Sequence, residues 1–305
     1  MERYEMLIVG GGAAGLAAAA EAAARGAKRV LLCERENALG GVLPQCIHHG
    51  FGLGCFGEDL TGPEYCARWL DRLAQTGTEV RTGTAVLSLS PERTALLSAP
   101  GRLERVGFDA CVLCAGAREK PLGALPVSGT RPAGVFTAGQ AQKLVNLGHY
   151  DVGSAVVILG SGDVGQIMAR RLTLLGKRVV ALVEQADALG GLARNRRACI
   201  EAYRIPVLLR ATVVRLHGAG RLRGVTVRRL DSGAETYLPC DTLIAAVGLV
   251  PERELLSAFP PDAPLPGWLR CAGNCEAIHD IVDAVSAHAA DAVRALLPTG
   301  TLSVS

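Results

Sequence analysis

Two glutamates occupy the same place in two copies of one phrase. Glu34 lies in CERENALGG, which begins at Cys33, and Glu184 lies in VEQADALGG, which ends at Gly191. Each follows a glycine-rich turn by the same interval: Gly10-Gly-Gly12-Ala-Ala-Gly15 leads to Glu34, and Gly160-Ser-Gly162-Asp-Val-Gly165 leads to Glu184. A carboxylate at a strand end accepts hydrogen bonds from paired sugar hydroxyls, and a glycine turn at the head of a helix receives a pyrophosphate; together they read a dinucleotide. The three glycines answer three needs. Gly10 and Gly160 permit the tight turn, Gly12 and Gly162 let phosphate approach the backbone, and Gly15 and Gly165 let helix and strand pack closely. One such turn is weak evidence; two, each with its acid in place, carry the reading.

The elements that must hold these residues are legible on either side. The apolar runs MLIV and AVVIL precede the turns as buried strands, an Ala/Leu-rich or amphipathic helix follows each, and the second strands KRVLLCE and RVVALVE end on the acids. The duplication continues. After the first unit, EVRTGTAVLSLS, TALLSAP and RLERVGF lead to DACVLCAGAREKP; after the second, TVVRLHG, RLRGVTVRRL and ETYLPC lead to DTLIAAVGLVPE. Asp109 and Asp241 open these closing strands, and Gly116 and Gly248 end them. The expected fold is α/β, with two Rossmann-like dinucleotide-binding domains, each a parallel sheet carrying a β-meander.

Composition narrows the class. A chain of 305 residues that is 49% hydrophobic and 20% charged buries a sizeable core and divides into two domains, which excludes disordered, collagen-like and coiled-coil chains. A net charge of +3 with no basic run interleaved with aromatics argues against nucleic acid as a partner, and Arg194, Arg196 and Arg197 read as a solvated helix face. Ten scattered cysteines without a dense framework suit a reducing cytoplasm. The apolar start MLIVGGGAAGLAAAA imitates a signal core or membrane span, but Glu2, Glu5 and Glu21 interrupt it and its glycines fall at a functional spacing, so no transmembrane segment is expected.

With both turns, both acids and both closing strands in place, the chain resembles the two-dinucleotide-domain flavoproteins, relatives of thioredoxin reductase and glutathione reductase. The resemblance covers essentially the whole chain. It implies a discontinuous FAD-binding domain, residues 1–120 and 249–305, and an inserted NAD(P)-binding domain, residues 121–248. It places Gly10, Gly12, Ala14, Gly15, Glu34, Arg35, Gly40, Gly41, Leu43, Ala115, Gly116, Gly273 and Asn274 at the FAD, and Gly160, Gly162, Val164, Gly165, Glu184 and Gly248 at the nicotinamide nucleotide. The tail RCAGNCEAIHDIVDAVSAHAADAVRALL fits the returning segment: a short strand, a turn at Gly273-Asn274, then a helix whose start lies near Asn274. Such proteins usually carry Asp at that turn; Asn274 still forms hydrogen bonds but adds no charge. NAD(H) is expected over NADP(H), because Glu184 opposes a 2′-phosphate and Gly165 is the NAD-type third glycine. A narrower resemblance rests on GGVLPQCIHHGFGL, LTGPEY, GTRPAGVFTAGQAQKLVN and GNCEAIHDIVD. It is to bacterial FAD/NAD-dependent oxidoreductases that accompany glycerol-3-phosphate dehydrogenase-type flavoproteins. The partners it implies are a flavoprotein dehydrogenase and a small Cys-rich electron-transfer subunit.

The chemistry of disulfide reductases is tested at the cysteines. Leu43 and His48 stand where the glutathione reductase pattern has its two cysteines, and no CxxC lies between Gly123 and Gly248, where the thioredoxin reductase pattern has one. The only CxxC, Cys111 to Cys114, falls in a buried strand whose side chains alternate, so these two read as core. Cys271, Cys275 and His279 share helical spacing, but the turn at Gly273-Asn274 divides them and no metal site is expected. Cys46 and His48 remain as catalytic candidates: a redox thiol and a proton donor on one reading, a wall of the flavin pocket on the other, favoured here because a single thiol needs a further partner. Three functions stay open. They are an NADH-flavin oxidoreductase passing electrons to or from a partner dehydrogenase or small acceptor, a stand-alone NADH oxidase or peroxidase using Cys46, and a non-catalytic nucleotide-binding scaffold; the first is preferred because no small-substrate domain is evident. The crossings near Lys120 and Val250, with Pro121 and Pro251 beside them, are a natural hinge, and rotation and a fixed interface are both compatible with the sequence.

Overall fold

In the computed structural model, which describes residues 1–298, the chain divides into two units. One comprises Met1–Arg118 and the chain from Val250 onward; the other is Glu119–Leu249. The first unit opens with strand β1 (Glu2–Val9), helix α1 (Ala13–Ala24) and strand β2 (Val30–Cys33). Alanine is the best helix former, and α1 is built of little else; it lacks a polar face because Leu16, Ala18 and Ala19 are fully buried among its neighbours. Among the described residues no helix is long and apolar enough to cross a membrane. Helix α2 (Gly62–Ala74) begins at a capping box formed by Thr61 and Glu64. Strands β3 (Glu79–Arg81), β4 (Ala85–Ser90), β5 (Thr94–Ala99) and β6 (Arg102–Leu113) follow.

The second unit repeats the plan. It runs through β7 (Val135–Thr137), α3 (Ala138–Asn146), β8 (Ala155–Leu159), α4 (Asp163–Leu174), β9 (Arg178–Val183) and β10 (Val207–Leu208). A meander of β11 (Ala211–His217), β12 (Gly224–Arg229) and β13 (Glu235–Pro239) precedes the closing strand β14 (Thr242–Ala245). The chain returns to the first unit through β15 (Leu269–Cys271) and α5 (Val282–Leu296). The two connecting segments, Ala117–Glu119 and Leu249–Pro251, pair as a two-stranded ribbon.

In the first unit the strand order is β3-β2-β1-β6-β5-β4, with β15 also on β6. Pairings among β3, β2, β1, β6 and β15 are parallel, and the β4-β5-β6 meander is antiparallel. In the second unit five parallel strands run β7-β14-β8-β9-β10, and the meander forms a separate sheet with Ser128–Gly129. Both parallel sheets are covered on both faces, so their strands are apolar throughout and split by period two. Met6 and Ile8 face the helices while Leu7 and Val9 face the meander side; Val156 and Ile158 divide from Val157 and Leu159 in the same way.

Two expectations are corrected. RLERVGF and DACVLC are one continuous strand, β6, and Asp109 lies inside it, paired with Arg3 at 2.6 Å, rather than at its start. Gly107 interrupts nothing because the strand is held from both sides, by β1 and β5. The final helix does not begin near Asn274. A single 3-10 turn, Gly273–Cys275, is followed by a loop, and α5 starts at Val282.

Candidate dinucleotide sites

The glycine turns are built alike. Gly10 has φ +103° and Gly160 φ +99°, backbone conformations that L side chains rarely adopt, and a Cβ on either would collide with a closing-strand carbonyl, that of Cys114 or of Ala246. A Cβ on Gly15 would strike the Gly10 carbonyl, and one on Gly165 the Gly160 carbonyl. Gly12 and Gly162 differ. At Gly162 no protein atom lies within 4 Å of such a Cβ, and at Gly12 the nearest is Gly41 Cα at 3.9 Å. Their surroundings are open, and they form the N-caps of α1 and α4 with no side-chain cap bond, whereas α2 and α3 are closed by Thr61 and Thr137. Open first-turn N–H groups beside a gap that a methyl would fill suit a pyrophosphate.

The acids lie against these turns. Glu34 is buried; Oε2 accepts the Gly11 N–H at 2.7 Å and Oε1 that of Glu36 at 2.8 Å. Glu184 accepts the Ser161 N–H at 2.9 Å and its hydroxyl at 2.6 Å through Oε2, and the Ala186 N–H at 2.9 Å through Oε1. Burial pushes the Glu184 carboxyl up, but these donors outweigh it and hold the group below its ordinary value, ionised at neutral pH. A carboxylate oxygen has a second lone pair, so both acids retain acceptor capacity for ribose hydroxyls.

The repeated Ala-Leu-Gly-Gly has a structural reason. In the first unit the Gly40 N–H donates to the Gly11 carbonyl at 2.8 Å, which seats the glycine pair on the turn; a Cβ on Gly41 would come within 3.1 Å of Gly12 Cα. In the second unit the Gly190 N–H donates to Ser161 Oγ at 2.8 Å, and Gln166 Nε2 bridges the Ser161 and Gly190 carbonyls at 2.7 Å each. Asp163 holds the segment beyond, accepting from Leu192 N and Asn195 Nδ2 at 2.7 Å. Ser161, Asp163 and Gln166 went unnoticed in the sequence. Their partners on the second glycine segment lie 24 to 32 residues away, with no local pattern to mark them.

The remaining expected residues fall out as follows. Ala14 packs against Gly273, where a Cβ would come within 3.1 Å, so the turn of the returning segment meets the first glycine motif. Asn274 Oδ1 accepts the His279 N–H at 3.0 Å, and the Gly273 N–H donates to His288 Nδ1 at 3.3 Å. Ala115 and Gly116 follow the end of β6, Gly116 with φ +75°. Arg35 and Val164 are exposed. Leu43 is buried in the helix-side core. Gly248 has φ +105°, and its carbonyl accepts the Lys120 N–H at 3.0 Å. All ten cysteines are free. Cys111 lies in the meander-side core and Cys114 in the helix-side core of the same unit.

Cys46 follows a short 3-10 turn, Leu43–Gln45, and its carbonyl accepts the Gly62 N–H at 2.8 Å. Burial pushes its thiol up to about 12, so it stays protonated at neutral pH. Alkylation of Cys46 by iodoacetamide, followed by mass spectrometry, is therefore expected to be slow at neutral pH and to rise only toward about pH 12; rapid neutral labelling would restore a thiolate role.

A doubly repeated cradle of this kind defines a protein with two dinucleotide-binding folds. The chain belongs to the pyridine nucleotide-disulphide oxidoreductase family, whose pattern matches residues 4–263. The family consists of flavin-dependent oxidoreductases that work with a pyridine nucleotide. The chain is 30% identical over 222 residues to hydrogen cyanide synthase subunit HcnB of Pseudomonas protegens, a match covering 70% of this chain and 45% of that protein. It is 24% identical over 282 residues to an opine oxidase subunit of Agrobacterium tumefaciens, covering 84% and 54%. It thus spans about half the length of these curated relatives. In fold it is similar to the thioredoxin reductase of T. acidophilum, with a TM-score of 0.77 at 20% identity over 97% of this chain and 98% of the other.

Proposed function

We propose that this chain transfers hydride between NAD(H) and FAD and exchanges the electrons with a partner subunit. The first unit would hold FAD through Gly12 and Glu34, the second NAD(H) through Gly162 and Glu184. The observation that supports this most directly is the pair of open cradles, each a glycine N-cap without a side-chain cap and a carboxylate with spare acceptor capacity. When bound, the isoalloxazine supplies the two-electron and one-electron chemistry. The chain's part is to fix both pyrophosphates at helix N-termini, orient both riboses through the acids, and offer at Asn274 a turn with no added charge.

Disulfide exchange is not part of the proposed activity. Leu43 and His48 occupy the reductase positions, and Cys111 and Cys114 point into separate cores. Two relatives are named as subunits, of hydrogen cyanide synthase and of opine oxidase, which supports a place in a multi-subunit oxidoreductase. The proposed partners are a flavoprotein dehydrogenase of the glycerol-3-phosphate type and a small Cys-rich electron-transfer subunit. The free cysteines suit a cytoplasmic location.

The test is stopped-flow reduction of the purified protein by NADH and NADPH, followed by a screen of acceptors. Loss of flavin absorbance within a single turnover on mixing with NADH is expected. A stoichiometric flavoprotein that neither nucleotide reduces would overturn the proposal.

A further inference from the structure

Three segments carry the narrower sequence resemblance but have no role in either cradle. They are the histidine loop HHGFGLGC, the Tyr65 region of α2, and HDIVD at the head of α5. The structure joins them. Asp283, in the first turn of α5, accepts the N–H of Gly52 at 3.2 Å and of Gly54 at 2.8 Å. A Cβ on Gly54 would lie 3.3 Å from Asp283 Oδ2, so the close approach depends on glycine. One helical turn later, the buried Ser286 Oγ lies 2.7 Å from the hydroxyl of buried Tyr65, which also reaches Cys55 Sγ at 3.5 Å. From Tyr65 the contact runs outward by rings, 6.1 Å to Phe51 and 5.0 Å from Phe51 to His48. His48 Nδ1 lies 3.1 Å from the His49 carbonyl. A carbonyl only accepts, so Nδ1 meets it as the donor of that contact.

We propose that Asp283, Ser286 and Tyr65 are positioning residues for His48: they lock the loop from His48 to Cys55 so that the imidazole meets the electron acceptor of the reaction proposed above. The inference rests on that reading for the acceptor, but the lock itself does not. A carboxylate taking two backbone N–H groups fixes the loop in both position and rotation, which neither bond does alone. The buried hydroxyl pair adds a second anchor at the loop's end, where Tyr65 reaches Cys55 Sγ.

The test has two parts. Hydrogen exchange read by mass spectrometry on the full chain is expected to show loss of protection over residues 47–55 in Asp283→Ala, with other regions unchanged. Unaltered exchange there would overturn the lock whether or not flavin binds. In the flavin-loaded protein, Asp283→Ala is expected to lower kcat/KM for menadione, a two-electron quinone probe, by about tenfold or more, as misplacement of a positioned group does. Flavin content, NADH reduction and electron loss to ferricyanide, which needs no seat at the flavin, should stay within about twofold. Asp283→Asn, which keeps one acceptor oxygen, should fall between. Tyr65→Phe keeps the ring stack and removes only the hydroxyl, and should give the same split at smaller size if Asp283→Ala folds poorly. An unchanged menadione rate, or an equal fall in every half-reaction, would overturn the positioning role. A wild-type protein that NADH cannot reduce would instead sink the function proposed above, leaving the exchange result to decide the lock.

Discussion

Gly12→Val will purify folded and without flavin, whereas Gly15→Ala will fail to fold. The two glycines sit in one turn, yet the structure gives them opposite tolerances. Gly12 has φ −79° and ψ −167°, extended backbone open to any residue, and its nearest neighbour to an added Cβ is 3.9 Å away. The valine therefore costs the fold no more than a poor cap, about 1 kcal/mol. It fills the space that a pyrophosphate would need to meet the first N–H groups of α1. Each charge-assisted bond lost is worth about 1.5–3 kcal/mol, so two lost bonds lower affinity by about a hundredfold or more. At Gly15 an added Cβ runs into the Gly10 carbonyl, a backbone atom that cannot rotate away, and the strain is about 3 kcal/mol or more. Flavin-to-protein absorbance ratios and far-ultraviolet circular dichroism separate the outcomes. A yellow, stoichiometric Gly12→Val protein would remove FAD from the first cradle.

NADH is expected to outperform NADPH by about a hundredfold in kcat/KM, narrowing to about tenfold in Glu184→Ala. The Ser161 and Ala186 donors keep Glu184 ionised, so a 2′-phosphate brought to the ribose position meets a fixed negative charge. Glu184→Gln separates charge from shape: it should relax the discrimination against NADPH while costing NADH less than the alanine does. The exposed Arg194 and Arg197 lie only a few residues past the glycine pair. Equal rates with the two nucleotides in the unmodified protein would refute the role given to Glu184.

What the sequence made legible were positions that answer a local need. The turn glycines, the acids and the alternating apolar strands each follow from geometry within a few residues, and the paired copies support one another. The misreadings came where long-range pairing overrode local signals. Asp109 looked like the start of a new strand, yet β5 pairs with β6 up to Gly107 and β1 pairs with it from Val106 to Leu113, so the strand runs through. The polar segment after Asn274 looked like a helix start, yet Asn274 spends its oxygen on the His279 N–H and α5 begins only at Val282. The Asp283 lock was out of reach altogether, since its partners at Gly52 and Gly54 lie about 230 residues earlier. Ser161, Asp163 and Gln166 show the same limit: their residue types are ordinary for a helix head, and only the fold brings the second glycine pair onto them.

The continuity of β6 bears on how the first unit comes apart. Its first half holds β5 in the antiparallel meander, its second half lies between β1 and β15, and the carbonyl of Cys114, just beyond its end, closes against Gly10. One strand thus carries both the meander pairing and the backbone that closes against the glycine turn. In the second unit the meander is a separate sheet, and β14 is a separate strand. The first unit is therefore a single cooperative block, in which damage at the rim is felt at the turn, while the second has a seam along which one layer can loosen before the other.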